Sequence, residues 1–264
     1  MRIGVCGFGM VGGALYRWLA HQKYDVSVFN PAKGYTEIEA LDRDIVFVCV
    51  PTPTDSSGQQ DESYLHEALS TIPRPTLVVI RSTVLPGTTR RLASQYTHHR
   101  FLFNPEFLEE LHADRDMFDP ARQIVGCLEE TAAEAEKLLA FLPVGRHYNG
   151  VVRVEEAEMA KYFSNAFYAL KITFANQMYD LCERLGVSYD EVRKLATADP
   201  KIAPKDPQCS AYLHVPYDGH RGFTGNCLPK DVLALIEFAR QNDIKLRLLE
   251  EADYYNAALA LLQG

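Results

Sequence analysis

The chain has 264 residues, 47% hydrophobic and 23% charged, with 27 Lys and Arg against 35 Asp and Glu, a formal net charge of −8. The length suits roughly two domains, and the usage is that of a globular protein, which excludes a disordered chain, a collagen-like repeat or a disulfide miniprotein. An acidic chain is a poor overall partner for DNA or RNA, and no run approaches the roughly 18 apolar residues of a membrane span, so neither nucleic acid nor membrane is an expected partner.

Arg2 to Cys6 is a short β-branched run, followed by a glycine turn and an apolar-periodic stretch (Val11, Leu15, Trp18, Leu19), which reads as strand, turn, helix. Asp25 to Phe29 reads as a second strand. Ile45 to Val50, Leu77 to Ile80 and Phe101 to Phe103 are continuously apolar, as strands buried on both faces are, and Gln123 to Gly126 is a weaker candidate. Helical stretches fall between them, near 61–72, 87–96 and 130–141, so the expected fold is α/β: an N-terminal Rossmann-type parallel sheet covered on both faces. From about Val154 the texture changes. Glu155 to Arg184 holds no Gly or Pro and carries apolar residues at helical spacing (Met159, Phe163, Phe167, Leu170, Phe174, Met178, Leu181), which predicts one long central helix of roughly 45 Å. Gly186 stops it, a helix follows near 188–197, residues 199–226 form a long Pro-, Gly- and Asp-rich loop, and helices resume at Pro229 with a break near Asn242. The expected division is a dinucleotide-binding domain over 1–150 and an all-helical domain over 151–264.

The six cysteines (Cys6, Cys49, Cys127, Cys182, Cys209, Cys227) are scattered without a Cys-x-x-Cys pair, so neither a disulfide framework nor a zinc site is indicated and no metal is expected. No charged-then-apolar leader precedes the first strand, and a reduced, cytoplasmic protein is expected.

Gly7-Phe8-Gly9-Met10-Val11-Gly12 follows a strand and opens a helix, the context in which Gly-x-Gly-x-x-Gly admits a pyrophosphate to a helix N-terminus. The second strand ends in Asn30 rather than a carboxylate, with Lys33 close by. NAD is therefore favoured over NADP without excluding it, because no Arg fork lies in this loop. Pro51-Thr52-Pro53-Thr54 and Ser82-Thr83 follow the third and fourth strands, where such sheets bind ligands; a merely rigid loop is the plainer alternative for the first. Asn104-Pro105-Glu106-Phe107-Leu108-Glu109-Glu110 follows the fifth. If this segment is helical, Glu106 and Glu110 share a face and are placed for acid–base work; otherwise it is a solvated acidic turn. Lys161 and Asn165 stand four apart on the long helix, off its apolar stripe, with Glu158 one turn before. Such a lysine is ordinarily solvated, yet beside a dinucleotide domain an ammonium suits a developing oxyanion. In Gly225-Asn226-Cys227-Leu228-Pro229-Lys230-Asp231, Pro229 reads as a first helical residue. Cys227 then sits before a helix N-terminus, beside Lys230, a setting that favours the thiolate.

In this order, the motifs closely resemble the UDP-glucose/GDP-mannose dehydrogenases over nearly the whole chain. The resemblance implies NAD-dependent, four-electron oxidation of a sugar C6 alcohol to a carboxylate, with UDP-glucose the first substrate to consider. It implies Cys227 as the nucleophile that forms a thiohemiacetal and then a thioester, and Lys161 as oxyanion stabiliser with Asn165 beside it. Asp231, Glu106 and Thr83 would manage water and protons, and Glu110 would lie near the nicotinamide. Cofactor contacts would come from Gly7, Gly9, Met10, Val11, Gly12, Asn30, Lys33, Pro51, Thr52, Thr83, Glu110 and Lys230, and substrate contacts from Glu106, Phe107, Leu108, Lys161, Asn165, Lys201 and Gly225. Lys201 stands where the family has a loop arginine, and Gly225-Asn226 where it has Gly-Gly. The resemblance also implies a short form without the family's third domain, and a homodimer built on the long helix. Two readings stand against it: a β-hydroxyacid-type dehydrogenase, which needs no cysteine, and a non-catalytic module that binds a dinucleotide or a sugar nucleotide.

Overall fold

Seven strands form one sheet in the order β2-β1-β3-β4-β5-β6-β7. They are β1 (Arg2–Cys6), β2 (Asp25–Phe29), β3 (Ile45–Val48), β4 (Leu77–Ile80), β5 (Arg100–Phe103), β6 (Arg122–Cys127) and β7 (Tyr148–Arg153). The helices are α1 (Met10–His21), α2 (Ser63–Thr71), α3 (Thr88–Gln95), α4 (Ala113–Phe118), α5 (Ala132–Phe141), α6 (Val154–Leu185), α7 (Tyr189–Thr197), α8 (Leu228–Gln241) and α9 (Arg247–Gln263). This computed structural model describes residues 1–203, 210–217 and 219–263.

The first five strands are parallel and in level register: Cys6 pairs with Phe29 and Val48, Val48 with Ile80, and Ile80 with Phe103. Gly7, Cys49, Arg81 and Asn104 therefore all follow directly at one carboxyl edge. The order reverses between β1 and β3, which makes that edge a topological switch point, the place where doubly wound sheets bind ligands. Side chains alternate between two buried layers. Val46, Val48, Val78, Ile80, Phe101 and Phe103 fill one face, while Phe47, Leu77, Val79 and Leu102 fill the other. Each such side chain contributes roughly 1.5–3 kcal/mol of burial, and two covered faces are why these strands read as unbroken apolar runs.

The sheet departs from the all-parallel expectation at its far side. β6 pairs antiparallel with β5 through only Leu102↔Cys127 and Phe103↔Gly126, and β7 then runs parallel to β6. A parallel connection needs a crossover from one edge to the other. Residues 104–121 instead spend their length at the carboxyl edge on an extended stretch and on α4, which grips α1 through Asp114 and the Arg17 guanidinium. The chain thus re-enters from the edge it left.

The structure divides into two units: Met1–Pro53 with Gln60–Lys161, and Thr54–Gln59 with Tyr162–Gly264. The division falls inside α6 rather than at the expected 150/151 junction, because the opening turns of α6 pack on the sheet. A Cβ on Gly126 would stand 2.7 Å from the Ala157 Cβ, so β6 admits the helix only by lacking a side chain there. In the second unit α6 ends at Gly186 (φ +70°), where the Val187 N–H reaches back to the Cys182 carbonyl. The Ser188 side chain caps α7, and the Tyr189 hydroxyl donates to the Leu213 carbonyl at 2.8 Å within a small cluster of Ala175, Cys182, Tyr189 and Leu213. α8 starts one residue earlier than Pro229, at Leu228, and Asn242 ends it.

α6 buries polar residues and leaves part of its aromatic stripe exposed. Lys161 and Asn165 are each 5% exposed and Glu158 is sealed, while Phe163, Phe167 and Phe174 are 69%, 48% and 59% exposed. The polar face turns inward because its groups find partners there, which is the condition for burying charge.

Candidate active site

The glycine turn is shaped from within. Gly7 holds φ +94°, and a Cβ on it would lie 2.4 Å from the Cys49 carbonyl oxygen; a Cβ on Gly12 would lie 2.0 Å from the Gly7 carbonyl oxygen. Both glycines serve the approach of α1 to the sheet. At Gly9, the N-cap of α1, a Cβ meets nothing within 4 Å, so the helix N-terminus faces open space. A turn of this shape fits a dinucleotide pyrophosphate on the N-terminus of α1, flanked by Met10 and Val11. Asn30 and Lys33 stand beside it. The Lys33 ammonium donates to the Phe8 carbonyl at 2.8 Å and lies over the Phe8 ring, so this cation is spent in bracing the turn.

The loops after β3 and β4 lock together. The Thr52 hydroxyl donates to the Thr83 carbonyl at 2.7 Å, and Ser82 Oγ donates to the Val50 carbonyl at 2.7 Å. Gln60, which the sequence reading passed over, clamps the same loop both ways: its Nε2 donates to the Thr83 carbonyl at 3.1 Å and its Oε1 accepts from the Leu85 N–H at 3.3 Å. Pro51 and Pro53 hold the facing strand of this clamp extended.

Beyond β5 the chain is not helical, so Glu106 and Glu110 do not share a face. Glu106 is buried, whereas Glu110 is exposed in a short 3-10 turn over Glu110–His112. Glu106 Oε1 lies 2.8 Å from Lys161 Nζ, and its Oε2 accepts the Leu108 N–H at 2.8 Å. Burial pushes the Glu106 carboxyl up, but the Lys161 ammonium, the Leu108 N–H and the Arg81 guanidinium together bring it below the usual carboxylate range. Phe107 lies between two cations, with the Arg122 guanidinium 3.7 Å and Lys161 Nζ 5.7 Å from its ring centroid.

Two further charged groups stand behind this pair. Arg81 is 3% exposed, donates to Asn104 Oδ1 and approaches Met117 Sδ at 3.8 Å; burial lowers its pKa. Its signal was legible as a lone cation directly after a four-residue apolar strand. Glu158 accepts the Gly87 N–H at 2.6 Å and the Thr89 N–H at 2.8 Å and so caps α3 from another helix. Burial pushes its carboxyl up to about 7 against those hydrogen bonds.

In the second unit, Asn165 Nδ2 donates to Asp231 Oδ2 at 2.6 Å, and the Lys230 ammonium lies on Asp231 Oδ1. Lys230 is thereby committed to its neighbour. Cys227 is the N-cap residue of α8 and half-buried, with the first helical bond running from the Asp231 N–H to the Cys227 carbonyl at 3.1 Å. Gly225, at φ +81°, is the joint just before it. Lys201 is exposed on a turn pinned by the Asp199 carboxylate. Part of the 199–226 loop, Cys209 included, lies outside the described residues. Among the described residues no cysteine is in a disulfide, no cluster could hold a metal ion, and no helix is long and apolar enough to cross a membrane. Burial pushes both Cys6 and Cys49 up to about 12, which suits core thiols rather than nucleophiles.

The sequence and the fold resemble known proteins. Residues 29–140 match the NAD binding domain of the UDP-glucose/GDP-mannose dehydrogenase family, and residues 155–258 match its central domain. The chain is 33% identical over 244 residues to a UDP-glucose 6-dehydrogenase of Rickettsia bellii, covering 88% of this chain and 52% of that one. It is 34% identical over 232 residues to the UDP-glucose 6-dehydrogenase of Pseudomonas aeruginosa, covering 82% and 49%. It thus spans about half the length of these curated relatives. The solved UDP-glucose dehydrogenase of Pyrobaculum islandicum superposes with a TM-score of 0.82 at 28% identity, over 97% of this chain and 68% of that one. The chain belongs to the UDP-glucose/GDP-mannose dehydrogenase family, with the NAD binding domain matched at residues 29–140 and the central domain at residues 155–258, most of which falls in the second unit.

Proposed function

We propose that the protein is an NAD-dependent nucleotide-sugar 6-dehydrogenase that oxidises a sugar C6 alcohol to the carboxylate, UDP-glucose being the substrate to test first. When bound, NAD would be held by Gly7 to Gly12 with Asn30 toward its ribose, and would accept the hydride of each of the two oxidations. The chain's own residues do the rest. In the first oxidation the C6 hydroxyl would pass its proton to water while its carbon gives a hydride to the nicotinamide, with Lys161 Nζ stabilising the oxyanion character that develops. Glu106 keeps that lysine charged and oriented. The Cys227 thiolate then adds to the aldehyde carbon, and its sulfur holds the thiohemiacetal so that a second hydride can leave. The product is a thioester, which water cleaves at the carbonyl carbon, returning the thiolate and releasing the acid. Asp231, fixed by the Asn165 amide, is the carboxylate nearest in sequence to take the water's proton.

The observation that supports this reading most directly is the Asn165–Asp231 hydrogen bond of 2.6 Å, one turn into the helix that Cys227 caps. A β-hydroxyacid-type dehydrogenase has no use for a thiol there, and a binding module has no use for a sealed lysine–carboxylate pair. Cys227→Ser tests the choice. An alcohol dehydrogenase keeps its turnover in that variant, whereas a four-electron enzyme stalls once the aldehyde is no longer captured.

We further propose a homodimer formed on the exposed aromatic side of α6. Phe163 and Phe167 stack at 6.4 Å, and with Phe174 they leave more apolar surface on one helix than a solvated face carries.

A further inference from the structure

The segment that leads into Cys227 is gripped at a single residue, through the two peptide groups that flank it. Asn256, on α9, reads the backbone of Phe223 in both directions: its Oδ1 accepts the Phe223 N–H at 2.7 Å, and its Nδ2 donates to the Phe223 carbonyl at 2.9 Å. The two bonds fix which way the amide faces, since a flipped amide would set donor against donor. Gly222 makes the grip possible. It sits at φ +83°, and a Cβ on it would stand 2.4 Å from Asn256 Oδ1. The Phe223 side chain is 1% exposed, so the residue is anchored by packing as well.

A second strut holds the residue before the turn. Arg221 donates from Nε to Asn176 Oδ1 at 3.1 Å, pairs with Asp180 at 2.6 Å and lies over the Tyr179 ring; the hydroxyl of Tyr255, the neighbour of Asn256, donates to the other oxygen of Asp180 at 2.6 Å. α6 and α9 thus clamp 221–223 together. Between this anchor and α8 stands Gly225, at φ +81°, where a Cβ would meet nothing within 4 Å. The backbone of Cys227 is reached across a glycine joint from the anchored Phe223.

We propose that Asn256 is a positioning residue for the Cys227 thiol: it fixes the backbone on both sides of Phe223, four residues upstream, so that the sulfur meets the carbon it attacks. This rests on Cys227 being the nucleophile. A misplacement of about 1 Å in such a step slows it about 10²-fold while the fold survives.

The test uses Asn256→Ala, Asn256→Asp and Gly222→Ala in the full chain, with two readouts. One is kcat and KM for NAD and UDP-glucose. The other is the pH profile of Cys227 alkylation by iodoacetamide, read by peptide mass spectrometry without substrate. Asn256→Ala should lower kcat about 10²-fold with KM for NAD within twofold, and should shift or flatten the alkylation profile. Asn256→Asp, which keeps the acceptor for the Phe223 N–H, should fall between it and the parent. Gly222→Ala breaks the same contact from the other side and adds backbone strain at φ +83°, so replacing Asn256 as well should cost Gly222→Ala little further kcat. Parental kcat and alkylation in a folded Asn256→Ala, or effects that multiply in the double variant, overturn the proposal. If Asn256→Ala does not fold, Asn256→Asp decides by the same two readouts. Should Cys227→Ser turn over normally, the nucleophile reading fails on its own, and the substrate-free alkylation profile still reports whether Asn256 sets the thiol's surroundings.

Discussion

Lys161 Nζ stands 2.8 Å from Glu106 Oε1, and both side chains are sealed from solvent to within about 5–6%. The pair joins the extended segment after β5 to α6, and Arg81 lies close enough behind to favour the carboxylate further. A buried cation so close to the sheet's carboxyl edge is costly to hold unless it is paired. Removing one partner should therefore destabilise the protein by about 3–5 kcal/mol. Lys161→Met and Glu106→Leu, each measured by urea denaturation, should show that loss. The double variant should recover most of it while remaining inactive. Additive losses in the double variant would mean that the two groups do not act as a pair.

Two carboxyls should give stability opposite dependences on pH. Glu106, held below the usual carboxylate range, contributes stability that is present at neutral pH and lost as the pH falls through its folded-state value. Glu158 is raised from 4.5 to about 7, so its contribution is complete below 4.5 and is withdrawn as the pH rises toward 7, by about 3 kcal/mol. Glu158→Gln should flatten the decline between pH 4.5 and 7 in a series of urea midpoints. An unchanged slope would remove Glu158 as its source.

The three glycines of the turn should separate by function. Gly7→Ala and Gly12→Ala force a Cβ onto backbone oxygens at 2.4 and 2.0 Å and should unfold the protein or depress its melting temperature sharply. Gly9→Ala meets no protein atom and sits at an ordinary φ of −80°, so its melting temperature should stay within about 1 °C of the parent. Its NAD affinity should nevertheless fall tenfold or more, about 1.4 kcal/mol by titration calorimetry. Undiminished affinity in Gly9→Ala would place the pyrophosphate elsewhere.

The exposed side of α6 should carry self-association. Phe163→Glu with Phe174→Glu should convert a dimer to a monomer in light scattering at micromolar concentration, with the circular dichroism spectrum unchanged. A parent protein that is already monomeric would overturn the dimer.

Much of this was legible in the residues because the signals were local. The change from strand to helix across Gly7–Gly12, the apolar runs of β3 and β4, and the break at Gly186 each depend on a few neighbouring residues. β7 was missed because Tyr-Asn-Gly-Val-Val-Arg holds two residues that strands avoid; it is kept in the sheet by six paired positions along β6. The burial of Lys161 and Asn165 on α6 was not legible from the helix alone. Periodicity assigns a lysine and an asparagine to the solvent side, and only their distant partners, Glu106 and Asp231, turn them inward. Glu106 and Glu110 look like a helical pair in sequence, but the segment is extended because Glu106 caps its own chain at Leu108 and reaches for Lys161. Gln60 and Glu158 do their holding through loop backbones, which leave little trace in composition, whereas Arg81 stands out only as a lone cation directly after an apolar strand.

The direct measurement is the stoichiometry of cofactor reduction. Purified protein is mixed with excess NAD and a limiting amount of UDP-glucose, and absorbance of the reduced cofactor is followed to completion. Two equivalents of reduced cofactor per sugar, falling away in Cys227→Ser, are expected of a four-electron enzyme working through the thiol. One equivalent per sugar, unaffected by Cys227→Ser, would contradict it and leave a simple alcohol dehydrogenase.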